Sequence, residues 1–404
     1  MGDSKIMILE NNQMISGYFF FIGGNNMDLI QGATSLEKRL MLKSNKVHVP
    51  INGSIELLPL CNMSCEMCYV KLSKEDMDKL GCLRTWEEWL EVGRQMKESG
   101  VTFLLLTGGE PLMFPGFKEL YLGLRDLGMV ITINTNATLL NEEWASFFGK
   151  YKPRRVNITL YGANDQTYNN LCHYPGGFSK VIRAVQLLLE QKVDVKLSSS
   201  LTKKNYDDMN KIIEIGKELG VPVRIDTYMM PAQRERFFSY KDQVRVDPLT
   251  SAEVFVRILK QEMGLELFTK FVMKYIFEVE HILPEKGPGQ VRCFAGNCSF
   301  TINWQGYMRP CVVLSEPSIS VFEYGFARSW KIIHEKVSNI RTSEVCNACN
   351  LRPICRTCFA SALLEEGSYD ATPRYMCEYA KELLRLLYIE REKIKLKEEN
   401  GTKK

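Results

Sequence analysis

No apolar run in this chain approaches the roughly 20 residues that a membrane-spanning helix needs. The densest, Tyr-Phe-Phe-Phe-Ile at residues 18–22, is far too short, and no signal segment leads to a cleavage site. The charge is nearly balanced, with 52 basic against 48 acidic side chains and a formal net of +4, so there is no broad field for nucleic acid. The basic residues of 391–404 read as a solvated helix face and a frayed tail. Internal repeats and low-complexity stretches are lacking too. What remains is a cytoplasmic globular protein, long enough at 404 residues for two or three domains and a buried core.

Against that background the thirteen cysteines stand out. In a reducing compartment they point to metal or redox chemistry rather than to disulfides. Three of them, Cys61, Cys65 and Cys68, have the spacing C-x3-C-x2-C directly after an apolar run. Three thiolates on one short loop can hold three irons of a cubane and leave the fourth open, an arrangement suited to chemistry.

Residues 51–230 alternate between short apolar segments and amphipathic helical patterns. Strands are expected at 54–60, 102–107, 130–135, 156–161, 193–199 and 223–227, with helices at 86–99, 116–127, 141–151, 178–191 and 206–219. Gly100, Gly128 and the Gly220-Val-Pro222 run punctuate them. Such alternation predicts an α/β fold, a partial (β/α)6 TIM-like barrel of parallel strands, with ligands at the carboxyl ends of the strands. Residues 1–50 are an extension in which a strand hairpin near 15–22 and a helix near 36–42 are expected. Residues 231–292 read as a helical connector, 293–380 as a cysteine-rich domain, and 381–404 as a charged helical tail.

Two further motifs carry chemistry. Gly108, Gly109, Glu110 and Pro111 close the second strand beside the cysteine loop. The glycines would permit a close backbone approach to a ligand, and Glu110 would accept from an ammonium group. The second motif is a set of eight cysteines within 85 residues: Cys293, Cys298, Cys311, Cys346, Cys349, Cys355, Cys358 and Cys377. Eight thiolates suffice for two four-iron clusters, although C-x2-C pairs also occur as zinc half-sites. A hairpin turning at Gly306 would bring Cys298 and Cys311 to one end. Cys82 and Cys172 are left over.

The cysteine loop with the Gly-Gly-Glu-Pro segment resembles the radical S-adenosylmethionine superfamily. That resemblance implies a cluster whose open iron binds the amino and carboxylate groups of S-adenosylmethionine. It also implies reductive cleavage of that cofactor to a 5′-deoxyadenosyl radical, which removes a substrate hydrogen. It gives Gly108, Gly109 and Glu110 the cofactor's amino group, Met67 a place against adenine where an aromatic residue is usual, and Thr159 a cofactor contact. The C-terminal cysteines resemble the SPASM extension. By that resemblance Cys293, Cys298, Cys311 and Cys358 hold one auxiliary four-iron cluster, and Cys346, Cys349, Cys355 and Cys377 hold the other.

The resemblance implies an enzyme that modifies a ribosomally made peptide or protein, by cross-linking or epimerisation. A reductant such as flavodoxin or ferredoxin would serve it, with a separate leader-binding protein as a possible partner. A small-molecule dehydrogenase is the alternative. Sulfatase maturation is disfavoured because Val312, not aspartate, follows Cys311. A non-catalytic iron–sulfur or zinc protein would have no use for the Gly-Gly-Glu segment. Cys172 is a candidate hydrogen donor and Asp226, ending the sixth strand, a candidate base; packing and ion pairing are their plainer roles.

Overall fold

The computed structural model describes residues 35–230, 234, 244–355 and 358–401. The hairpin expected near residues 15–22 lies outside them. The helix expected near 36–42 runs over Ser35–Val47, and Arg154 ties it to the barrel through Glu37 at 3.0 Å.

Six parallel strands form the barrel wall: β1 (Asn52–Glu56), β2 (Phe103–Thr107), β3 (Val130–Thr135), β4 (Arg155–Thr159), β5 (Val195–Ser200) and β6 (Val223–Asp226). Each alternates with period two. One face carries Ile55, Leu104, Leu106, Ile131, Ile133, Val156, Ile158, Leu197 and Ile225, all buried in the main core. The opposite face carries polar residues such as Ser54, Thr132, Asn134, Asn157, Lys196 and Arg224. The helices cover the first face. That of Gly177–Glu190, for example, buries Val181, Ala184, Val185 and Leu188. The second face lines a polar lumen, which a barrel closed by its own side chains would not have. β1 ends earlier than its apolar run suggests, because the chain turns out of the sheet toward Pro59.

The sheet does not stop at β1. Among the described residues the C-terminal region adds five short strands, β7 (Gly289–Gln290), β8 (Ser299–Ile302), β9 (Tyr307–Arg309), β10 (Ile319–Ser320) and β11 (Arg341–Thr342), of which β8, β9 and β10 extend that sheet. β8 lies parallel to β1, and β9 and β10 extend the sheet antiparallel beyond it, giving the order β10-β9-β8-β1-β2-β3-β4-β5-β6. The hairpin turns at Gly306, which has a φ of +92°. β7 pairs separately with β11. The β1–β8 contact is close: a Cβ added at Gly53 would fall 2.1 Å from the Phe300 ring.

The helix Pro248–His281 breaks direction at Gly264, whose φ is +68°. It packs along the C-terminal helix Arg374–Gly401, with Lys260 bonded to Glu390 at 2.6 Å and Tyr388 to Glu280 at 3.1 Å. The charged tail is thus a packing helix, whose apolar face buries Met376, Leu383 and Leu387.

Candidate active site

The loop after β1 carries Cys61, Cys65 and Cys68. It is held by the helix Asp165–Cys172, whose last carbonyls lack partners within the helix. Ser64 N donates to the Cys172 carbonyl at 2.9 Å and Glu66 N to that of Leu171 at 3.1 Å. Donors also face the sulfurs. Met63 N lies 3.4 Å from Cys61 Sγ, Asn136 Nδ2 lies 3.5 Å from the same sulfur, and Lys71 N lies 3.3 Å from Cys68 Sγ. Burial, with Glu110 and the other two thiols adding to it, pushes the Cys61 thiol up to about 12. Such thiols wait for a cation to replace their protons.

The Gly-Gly-Glu segment meets this loop edge on. Gly109 N donates to the Leu58 carbonyl at 2.7 Å, and Glu110 N to that of Leu60 at 2.9 Å. A Cβ on Gly108 would fall 2.6 Å from the Leu58 oxygen, and one on Gly109 would fall 2.1 Å from the Leu60 oxygen. The close approach expected toward a ligand is therefore made first to the backbone of the cysteine loop. Glu110 is fully buried and accepts from Leu112 N at 3.1 Å, the Thr135 hydroxyl at 2.7 Å and Asn136 N at 2.8 Å. Burial outweighs these bonds and raises its carboxyl to about 7. Asn136 thus touches Glu110 through its backbone and Cys61 through its side chain. Sequence reasoning missed it, and its only signal was its place one residue past an expected strand end.

Met67 is buried in the main core. Thr159 ends β4 on its lumen face, and its carbonyl accepts from the Tyr168 hydroxyl at 3.0 Å. Tyr161 stands beside Cys65, Cys172 and Cys68, and burial first, then these thiols, raise its hydroxyl. Cys172 does not open on the lumen. It is fully buried, and its thiol hydrogen-bonds Cys65, which with burial raises Cys65. That position is buried rather than on the rim and ties the helix end to the cysteine loop, the packing role that the sequence offered beside hydrogen donation. Asp226 does face the lumen, but Arg224 holds it at 3.0 Å through Nε and 2.8 Å through Nη2, so it is not a free base.

The C-terminal cysteines form two groups. Cys293, Cys311 and Cys358 interact with one another, and all are raised, chiefly by burial; Cys293 reaches about 12 and Cys311 about 11. Cys377 is raised by burial and then by Cys346 and Cys349. The chain turns between Cys349 and Cys355, with Leu351 N donating to the Cys349 sulfur at 3.4 Å and Cys355 N to the Leu351 carbonyl at 2.9 Å. Cys298 is the departure. Its thiol is buried in an apolar pocket of Met41 and Ile51, it approaches the Met41 carbonyl at 3.8 Å, and burial alone raises it to about 12. The hairpin register sets residues 299 and 311 opposite each other, yet the Cys298 side chain turns to the other face.

Among the described residues no three His, Cys, Asp or Glu side chains converge tightly enough to hold a single metal ion. The ligands of a cubane each bind a different iron and stand further apart. Three sulfurs on one loop, met by N–H donors and flanked by a buried carboxylate, fit a cluster with an ammonium-bearing ligand beside it.

Comparison with known proteins agrees. Residues 55–216 match the family model described as the radical SAM superfamily. An AdoMet-dependent heme synthase of Methanosarcina barkeri (strain Fusaro / DSM 804) is 24% identical over 335 residues, which are 78% of this chain and 92% of that protein. The antilisterial bacteriocin subtilosin biosynthesis protein AlbA of Bacillus subtilis (strain 168) is 22% identical over 347 residues, 84% of this chain and 73% of that protein. The crystal structure of Streptococcus suis SuiB bound to its precursor peptide SuiA superposes with a TM-score of 0.62 at 18% identity, over 85% of this chain and 80% of that one. At that identity the likeness speaks for the fold.

Proposed function

We propose that the chain is a radical S-adenosylmethionine enzyme, as the family match over residues 55–216 supports, and that it modifies a residue of a ribosomally made peptide or protein. The observation that carries this reading is the second cysteine assembly, whose hairpin extends the barrel sheet past β1. The likeness to AlbA, named for bacteriocin biosynthesis, supports it.

When bound, the cluster and S-adenosylmethionine supply a radical that removes a substrate hydrogen. The chain's own residues prepare that step. Cys61, Cys65 and Cys68 would hold the first cluster. Glu110 would offer a carboxylate to the cofactor's ammonium, and Thr135 and Asn136 fix its two oxygens. Gly108 and Gly109 let that carboxylate approach the cysteine loop. Thr159 and Met67 would line the remainder of the cofactor site. Cys293, Cys311 and Cys358 would bind one auxiliary four-iron cluster, and Cys346, Cys349, Cys355 and Cys377 another. Clusters held there would supply an acceptor for the second electron of an oxidation. We assign the protein to the cytoplasm, with a flavodoxin or ferredoxin as reductant and a separate leader-binding partner.

The test is anaerobic incubation with S-adenosylmethionine, dithionite and short peptides encoded beside the gene, read by mass spectrometry. Loss of two hydrogens from a peptide supports oxidation, whereas an unchanged mass in ordinary water together with a one-deuterium gain in heavy water supports epimerisation. The relative named a heme synthase matches across nearly its whole length, which favours a small-molecule substrate as the second reading. Unaltered peptides together with oxidation of a small molecule would establish it.

A further inference from the structure

Among the described residues, the lumen-facing Lys196 has no counter-ion within bonding distance. Lys196 lies on the lumen face of β5, in hydrogen-bonded register with Asn157 of β4 and, through it, Asn134 of β3. Those two asparagines bond each other at 2.8 Å, Asn157 Nδ2 donating to Asn134 Oδ1, so both side chains share this face. The neighbouring guanidiniums are each already matched. Arg155 pairs with Asp194 at 3.0 Å, and Arg224 pairs with Asp226 at 2.8 Å. In the same row of the sheet Glu56 pairs with Arg234 at 2.6 Å, both side chains only 1% exposed. Among the described residues no hydrogen bond or ion pair engages the Lys196 ammonium.

A partly buried ammonium without an acidic partner is costly, and two adjacent guanidiniums add to the cost. Burial first, then Arg224 and Arg155, bring Lys196 down to about 8, with Asp226 pulling the other way. A lysine kept only for its aliphatic stem would gain by turning its head to water. Its position relative to the cofactor row is specific. Thr159, Ser198 and Arg224 form the next row toward the carboxyl ends of the strands. That step is two residues, about 7 Å along a strand.

We propose that Lys196, with Arg224 beside it, is a carboxylate subsite that anchors the acidic group of the substrate one row below the cofactor. This rests on the reading that the substrate enters the lumen and narrows its class. The residue attacked would itself be an aspartate or glutamate, or would lie beside one. The methylenes of such a side chain span the gap between Lys196 and the reacting position.

The test avoids turnover, so its failure is distinguishable from failure of the peptide reading. The full-length protein is reductively methylated at neutral pH, alone and with glutarate or its neutral diamide, glutaramide, and Lys196 labelling is followed by peptide mapping. Glutarate at roughly ten times its dissociation constant should slow labelling of Lys196 about tenfold, leave surface lysines such as Lys331 unchanged, and have no counterpart with glutaramide. Arg224→Gln releases Asp226 to pair with Lys196 and should abolish protection; Arg224→Gln with Asp226→Asn should restore part of it. Equal labelling with and without glutarate overturns the subsite, as does a Lys196 that is not labelled at all. A second arm uses short peptides that contain either Glu or Gln: protection by the Glu peptide alone assigns the carboxylate to a side chain, and protection by free glutarate alone assigns it to a small acid.

Discussion

Gly109 lies so close to Leu60 that a single added methyl carbon would fall 2.1 Å from the Leu60 carbonyl oxygen. The β2 exit and the cysteine loop are therefore one backbone unit, joined by the bonds from Gly109 N to Leu58 O and from Glu110 N to Leu60 O. Gly109→Ala should separate them. We expect a stability loss of about 2–4 kcal/mol in the metal-free protein and iron reduced by about four per chain, one cubane. Urea denaturation and iron analysis measure the two; a variant with full iron and unchanged stability would contradict the joint role.

Glu110 sets a pH dependence. Its carboxyl titrates near about 7 when folded, through burial, and near about 4.3 when unfolded. The folded state therefore holds the proton more tightly. The resulting stability is full below the unfolded value and is lost as pH rises toward 7. The stability difference between the metal-free wild type and Glu110→Ala should shrink by about 3 kcal/mol from about pH 4 to about pH 7.5. A difference constant over that range would show that the carboxyl keeps its ordinary affinity. Cofactor binding, which in the proposed clamp uses the carboxylate, should strengthen over the same window.

Iron content distinguishes the cysteines. Replacing Cys293 with alanine should remove about four irons, because its thiol faces Cys311 and Cys358. Cys298→Ala should keep them, because that thiol sits against Met41 and Ile51. Loss of four irons in Cys298→Ala would return it to the ligand set.

A buried network behind the second assembly sets a large energetic effect. Glu365 accepts from Arg245 Nη2 at 3.0 Å and from the Tyr228 hydroxyl at 2.7 Å, and Arg245 lies 3.5 Å over the Tyr375 ring. Arg245→Ala strands a carboxylate that is only 8% exposed and should cost about 3–5 kcal/mol, whereas Tyr228→Phe should cost about 1 kcal/mol. Equal losses in urea midpoints would contradict that ranking.

The barrel was legible because its strands carry apolar residues at every second position, several of them bounded by glycine or proline, and because its helices keep a 3.6-residue stripe. β3 and the positions of Cys61, Cys65 and Cys68 could be read directly for that reason. The partners of Glu110 could not, since Thr135 and Asn136 come from the end of a neighbouring strand and meet it only across the sheet. Lys196 reads as an ordinary polar residue of a strand until register sets it on the lumen face. Cys298 sits in a C-x4-C spacing that carries no record of side-chain direction. The pairing of β1 with β8 is the extreme case, because neither strand's sequence names its neighbour.

That pairing has a consequence in time. Ser54 and Thr301, which share a hydrogen bond at 2.9 Å, are 247 residues apart. At a synthesis rate of about 5–20 residues per second, roughly 12–50 s pass between the emergence of one strand and of the other. Throughout that interval β1 offers an unpaired edge next to the apolar run that leads into the cysteine loop, a template for pairing with another nascent chain. A chain released before residue 299 should therefore associate with itself, while the full chain covers that edge from within.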